Sequence, residues 1–213
     1  MAFTMPTFVS RLFRPFTTSG ARFGIVPESP DAIPEEYIPP PGAKVATIAA
    51  GCYWGVDHLY RRDFLGDPGL YNAIVGFTGG HTENPTYESV CTGKTGHAEA
   101  VALYYDPKRL NFEQLIEYFY RMHDPTTKNQ QGGDYGSQYR SAIFFQDEEQ
   151  EKIAREITRK ANEQWFDGRI VTEIVPAARF WYAKKGHQLY LLNNPGGYQC
   201  PNHAVDKNLP PLK

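Results

Sequence analysis

Lys44-Val45-Ala46-Thr47-Ile48-Ala49-Ala50-Gly51-Cys52-Tyr53-Trp54-Gly55 joins a short apolar, partly β-branched run to the start of a helical pattern that continues to about Phe64. The run suits a buried strand, and the glycine-flanked turn after it delivers a cysteine to a helix N-terminus. Leu70 to Phe77 and His97 to Tyr105 read as two more strands. In the second, Ala98, Ala100, Ala102 and Tyr104 alternate with Glu99, Val101, Leu103 and Tyr105, so both faces are expected to be largely buried. Asn111 with Gln114 three residues on signals a capping box. Phe112, Leu115, Ile116, Phe119 and Met122 then form an apolar helical stripe that Pro125 ends. After a polar, glycine-bearing loop from Thr126 to Gln138, Tyr139 to Phe145 reads as a strand. Asp147 with Gln150 opens another helix, carrying Ile153, Ile157, Ala161 and Trp165, which Gly168 can terminate; Ile170 to Val175 supplies a further strand. The order βαββαβ with an extra helix and strand predicts an α+β fold, a ferredoxin-like split βαβ two-layer sandwich of helices on a mixed sheet. Beyond Pro176 the patterning fades, and a long irregular C-terminal tail from about Asn193 to Lys213 is expected to be mobile.

The 213 residues suit one catalytic domain with an appendage: an N-terminal extension and linker over residues 1–43 and a domain over 44–213. Residues 1–22 carry Arg11, Arg14 and Arg22 and no acid, which fits either a mitochondrial transit peptide or a disordered tail. Pro27 to Gly42, rich in Pro and Glu, reads as an extended linker or an arm laid over the domain. The net charge of -2, with no basic stripe, argues against a nucleic-acid partner, and no apolar stretch approaches the roughly 20 residues a membrane span needs. A soluble, cytoplasmic monomer is therefore expected, with a mitochondrial location open if the first 22 residues are a transit peptide. The three cysteines, Cys52, Cys91 and Cys200, form no Cys-x-x-Cys pair, so a disulfide scaffold is not expected and the thiols are bystanders, ligands or nucleophiles.

At a helix N-terminus, unpaired N–H groups and the positive end of the helix dipole favour a thiolate, so Cys52 is expected to be reactive. Tyr53 and Trp54 suit two walls of a small apolar pocket beside the sulfur, sized for a methyl group. These features alone leave open a thiol peroxidase, a general thiol-disulfide oxidoreductase, a cysteine hydrolase, and a methyl-group binding module without turnover. Cys91 reads as a buried bystander. Cys200-x-x-His203 lacks a second ligand pair with zinc-like spacing, so no metal site is expected.

Gly51-Cys52-Tyr53-Trp54-Gly55 resembles the nucleophile motif of the A-class peptide methionine sulfoxide reductases, which act on the S epimer. Gly76-Phe77-Thr78-Gly79-Gly80, Asn84-Pro85-Thr86-Tyr87, Thr95-Gly96-His97-Ala98-Glu99-Ala100, His123-Asp124-Pro125 and Gly136-Ser137-Gln138-Tyr139-Arg140-Ser141 resemble further family segments in the right order. The similarity spans about residues 44 to 200. Tyr53 and Phe77 depart from the usual Phe and Tyr, and Tyr53 brings a hydroxyl beside the methyl pocket. The resemblance implies that Cys52 attacks the sulfoxide, that Glu99 is the acid, that Tyr87 and Tyr139 hydrogen-bond the sulfoxide oxygen, and that Asp134 orients substrate backbone and water. It further implies that the resulting Cys52 sulfenic acid is resolved as a Cys52–Cys200 disulfide reduced by thioredoxin, or by dithiothreitol in vitro, without a bound cofactor. Substrates would be oxidised proteins and free methionine sulfoxide, and the role repair of oxidative damage. To donate a proton near neutral pH, Glu99 must be buried enough to lift its pKa from about 4.3.

Overall fold

The computed structural model describes residues 31–213; the alternatives raised for residues 1–22 lie outside the described residues. Strand β1 (Lys44–Ala50) leads through Gly51 and Cys52 into helix α1 (Tyr53–Phe64), and β2 (Leu70–Thr78) follows. A one-turn helix α2 (Tyr87–Cys91) precedes β3 (Ala98–Tyr105) and α3 (Phe112–Arg121). A two-residue hairpin, β4 (Gln130–Gln131) and β5 (Asp134–Tyr135), is followed by β6 (Ser141–Phe145), α4 (Glu148–Gln164), β7 (Glu173–Pro176), β8 (Trp181–Tyr182) and α5 (Tyr190–Asn193).

The main sheet runs β7-β6-β1-β3-β2-β8. Its four central strands, taken in chain order, lie as fourth, first, third, second, with β3 inserted antiparallel between β1 and β2. This is the split βαβ arrangement expected from the sequence. Helix α4 crosses over to make β7 parallel to β6, and β8 adds antiparallel to the far edge of β2.

Alternation along the strands sorts the two faces. Ala46, Ile48, Ala50, Val101, Leu103 and Tyr105 join the large core with the helices. Ala49, Ala98, Ala100, Ala142 and Phe144 form a second, small-residue face covered by Val175, Ala177 and Phe180. Both faces of β3 are thus closed, the second by an irregular strap instead of a helix.

The helix starts obey the expected capping chemistry. Asn111 accepts from the Gln114 N–H at 2.8 Å while the Gln114 side chain accepts from the Asn111 N–H at 3.0 Å. Asp147 likewise caps α4 through the Gln150 N–H.

Several boundaries differ from expectation. Tyr139 lies in a 3-10 turn (Ser137–Tyr139) before β6, and β7 starts at Glu173 instead of Ile170. Helix α4 stops at Gln164, short of Gly168. Helix α2, the β4–β5 hairpin, strand β8 and helix α5 are additional; each is too short for a periodic pattern, and β8 owes its form to the open edge of β2. The described part of the linker is laid over the domain: the Lys185 N–H donates to the Ala32 carbonyl at 2.7 Å, and the Tyr37 ring meets Tyr104 edge-on at 4.9 Å.

The tail is irregular but docked. Arg121 donates to the carbonyls of Asp206, Leu209 and Pro210, and the Asp206 N–H returns a bond to the Arg121 carbonyl at 2.8 Å. No described helix is long and apolar enough to cross a membrane.

Replacing the Asn111 cap with Ala leaves an N–H of α3 unpartnered and should lower the unfolding free energy by about 1 kcal/mol. Urea titration should show a lower midpoint with an unchanged slope.

Candidate active site

Because β1 and β3 are antiparallel, the C-terminal end of β1 lies beside the N-terminal end of β3. Cys52 leaves the first strand there as the N-cap residue of α1, and Glu99 stands on the helix-facing side of the second. The Tyr53 N–H donates to the Glu99 carboxyl at 3.1 Å, joining the helix start to the sheet. Gly51 turns the chain between them with φ of +91°, a left-handed conformation open to glycine.

Cys52, Tyr53, Trp54 and Glu99 line one cavity of about 280 Å³. Tyr87 comes to it from the first residue of α2, Tyr139 from the 3-10 turn, and Asp134 from the short hairpin. Seven of the eight residues singled out in the sequence therefore meet around one space. Cys200 is the exception: it is buried behind the hairpin, where its thiol donates to the Gln131 carbonyl at 3.4 Å. Cys52, Cys91 and Cys200 are all free thiols.

Burial governs the protonation of the site. Glu99 is 2% exposed, and desolvation lifts its pKa from 4.5 to about 8 against the pull of the Tyr53 N–H, with the Asp134 charge pushing the same way as burial. The carboxyl is thus mostly protonated at neutral pH.

Cys52 departs from the expected stabilised thiolate. Burial and then the neighbouring Glu99 drive its pKa up, outweighing the opposing backbone N–H groups of Trp54 and Gly55. The helix terminus is present, but in a closed pocket desolvation of the anion is the larger effect. Burial also raises the phenols of Tyr87 and Tyr139, which stay as O–H donors.

The apolar wall extends beyond the two residues expected. The Trp54 ring stacks on Tyr190 with centroids 3.7 Å apart and lies against His187 at 5.6 Å. The Tyr53 hydroxyl is hydrogen-bonded to His187 Nδ1 at 2.8 Å. Tyr198 also lines the cavity and donates to Asp134 Oδ1 at 2.8 Å, leaving Oδ2 buried without a partner among the described residues. His187, Tyr190 and Tyr198 carry no local pattern that marks them; the late aromatic and histidine cluster around Pro195-Gly196-Gly197 is the one available hint.

Cys91 is exposed at the last residue of α2, not buried: Val90 takes the inward position of that helical turn, and the thiol meets Tyr87 one turn back. Among the described residues, no group of three or more His, Cys, Asp or Glu is placed to hold a metal ion, and His203 spends its Nε2 on the Ala50 carbonyl.

The loop beneath the cavity is braced from below. The Gln131 side chain accepts from the Asp124 N–H at 3.0 Å and donates to the Asp124 carbonyl at 2.9 Å. Buried His123 donates from Nδ1 to the Phe119 carbonyl and meets the Ser141 hydroxyl through Nε2, tying α3 to β6.

A carboxyl with a raised pKa binds more protons folded than unfolded between its unfolded value near 4.5 and about 8. Its stabilising contribution is complete below the lower value and lost as pH rises through the upper one. Glu99→Gln removes that loss, so its urea midpoint should fall less than the parent's between pH 5 and pH 9. Equal falls would mean that the buried carboxyl is not held neutral.

Residues 44–209 match the model of the peptide methionine sulfoxide reductase family. A probable peptide methionine sulfoxide reductase of Schizosaccharomyces pombe is 46% identical over 167 residues, which is 78% of this chain and 98% of the relative. The reduced form of Mxr1 from Saccharomyces cerevisiae is similar with a TM-score of 0.74 and 36% identity, over 80% of this chain and 95% of that one. Methionine sulfoxide reductase A of Corynebacterium diphtheriae gives 0.70 and 36%, over 87% and 99%. Mxr1 in complex with Trx2 gives 0.55 and 24%, over 80% and 94%, a likeness of fold.

Proposed function

The chain belongs to the peptide methionine sulfoxide reductase family, A class, and from that premise we propose that it reduces the S epimer of methionine sulfoxide by moving the sulfoxide oxygen onto Cys52. It is an oxidoreductase acting on a sulfur group. The observation that carries the mechanism is the burial of a carboxyl, Glu99, facing the same cavity as the thiol Cys52, which lifts its pKa to about 8.

A sulfoxide sulfur becomes a good electrophile when its oxygen is protonated or strongly hydrogen-bonded. Glu99 supplies the proton, and the Tyr87 and Tyr139 hydroxyls donate to the same oxygen. The substrate methyl group packs on Trp54 and Tyr53, and the unpartnered Asp134 Oδ2 receives a substrate backbone N–H. Because thiol and carboxyl are both uncharged at rest, the proton leaving Cys52 replaces the one Glu99 lends to the oxygen. The site thereby avoids holding a thiolate and a carboxylate side by side. The substrate S–O bond breaks, a Cys52 S–O bond forms, and the products are methionine and Cys52 sulfenic acid, the reversible first stage of cysteine oxidation.

The Cys200 thiol then attacks the sulfenic sulfur, giving a Cys52–Cys200 disulfide and water. A thioredoxin-type dithiol reduces that bond by thiol-disulfide exchange, becoming a disulfide itself. No cysteine follows Cys200, so the relay has one step. Mxr1, 36% identical in its reduced form, has also been crystallised in complex with Trx2, which supports a partner of this kind. The substrates are protein-bound and free methionine sulfoxide, and the role is repair of oxidised proteins by a monomer. The cytoplasm, with its thioredoxin-type reductants, suits this cycle; residues 1–22 leave a mitochondrial destination to be tested.

With dithiothreitol as reductant, chromatography of a blocked methionine sulfoxide should show loss of the S epimer alone. Cys52→Ser should abolish that loss. Cys200→Ser should retain one stoichiometric turnover and dithiothreitol-driven turnover but lose at least 90% of thioredoxin-driven turnover (about a tenfold effect). Undiminished thioredoxin-driven turnover in Cys200→Ser would remove the assigned relay.

A further inference from the structure

The turn that carries Cys52 has a second occupant, from the tail. A Cβ at Gly55 would overlap the imidazole of His203, and one at Gly51 would overlap the Gln131 side chain and lie 3.3 Å from His203 Nε2. The ring is seated on these two glycines, one on either side of the nucleophile. Its Nε2–H donates to the Ala50 carbonyl at 2.7 Å; a carbonyl can only accept, so the proton is on Nε2. Nδ1 is buried without a partner among the described residues, which leaves the Ala50 bond as the ring's polar tie.

His203 also closes the turn that begins at Cys200, donating its N–H to the Cys200 carbonyl at 3.0 Å. Within that turn Asn202 donates to the Gln131 side chain at 3.2 Å, and the Cys200 thiol faces the Gln131 carbonyl. Cys200 is 2% exposed and does not itself line the substrate cavity, although its thiol lies against Asp134, which does. On either side the chain is held independently, by Tyr190 stacked on Trp54 and by Arg121 on the carbonyls from Asp206 onward. Losing the His203 seat therefore loosens the Cys200 turn, leaving it tied by Tyr198 to Asp134 and by Asn202 to Gln131, without releasing its ends.

We infer that His203 is a positioning residue for the regeneration half-cycle: seated on Gly51 and Gly55, it parks the Cys200 turn away from the cavity and must lift off before Cys200 reaches Cys52. This rests on the resolving role proposed for Cys200. It also gives Gly55 a purpose that helix formation does not supply, since alanine is the better helix residue. Gly55→Ala leaves the backbone of α1 acceptable and fills the place of the imidazole.

The test uses the full-length reduced protein. Alkylation of Cys200 by iodoacetamide, followed by peptide mass spectrometry, should be at least threefold faster in His203→Ala and in Gly55→Ala (at least about 0.65 kcal/mol in opening free energy). His203→Gln, whose side-chain N–H can still reach the Ala50 carbonyl, should remain close to the parent. The two faster variants should not add when combined, because they remove one contact from its two sides. After one equivalent of sulfoxide, Cys52–Cys200 disulfide formation should accelerate in His203→Ala, while methionine release in the single turnover of that variant stays at the parental rate. Unchanged Cys200 alkylation, additive effects, or a slower disulfide despite faster alkylation would each overturn the parking role. Cys200→Ser separates the two readings: thioredoxin turnover that survives it refutes the relay, whereas the alkylation rates judge the seat itself.

Discussion

A single hydrogen bond, from the Tyr53 N–H to the Glu99 carboxyl at 3.1 Å, joins the first turn of α1 to the start of β3, and the reactive groups are arranged around that junction. It forms because antiparallel pairing brings the end of β1 beside the start of β3. The place is deep: Glu99 is flanked along its strand by fully buried Ala98 and Ala100, and α1 covers it. One backbone donor cannot offset the lost hydration of a carboxylate there, so the group keeps its proton. The same closure raises the Cys52 pKa. Burial thus favours the uncharged form of both Glu99 and Cys52, which suits the proposed reaction, whose two proton movements compensate.

The rim of the site is assembled from parts of the chain with little regular structure. Tyr87 is delivered by one capped helical turn, Tyr139 by a 3-10 turn and Asp134 by a two-residue hairpin. Rigidity comes from bonds underneath. Gln131 grips both backbone groups of Asp124 while its own carbonyl and side chain receive Cys200 and Asn202. His123 ties α3 to β6 through two ring nitrogens, and burial lowers its pKa to about 3, so it remains a neutral brace. The loop that positions Asp134 is therefore also the bed of Cys200.

The chain order of the longer strands and helices, the strand-to-helix turn at Cys52 and the Asn111 and Asp147 caps were legible because each rests on neighbours in sequence or on strict alternation. The shared cavity of Cys52, Tyr53, Trp54, Tyr87, Glu99, Asp134 and Tyr139 was reached through motif resemblance. Local patterns alone left a peroxidase, a hydrolase and a binding module open. Not legible were β8, which takes its form from the edge of β2, and Tyr198, which depends on the tail folding back to Asp134. Cys91 was misjudged because the helical turn that exposes it is a single turn long.

The sequence by itself determined the order of strands and helices, the cysteine after β1 and the residue types of the site, since these follow from side-chain pattern and local backbone preference. Only the tertiary structure decided protonation and docking. A helix N-terminus favours a thiolate wherever it occurs, but whether that outweighs desolvation depends on what covers it, and here Glu99, Tyr53 and the surrounding walls do. The tail likewise shows no pattern of its own. Its place is set by Arg121 on the carbonyls from Asp206 onward, Tyr198 on Asp134 and His203 against Gly55, long-range contacts of the kind local preference does not encode.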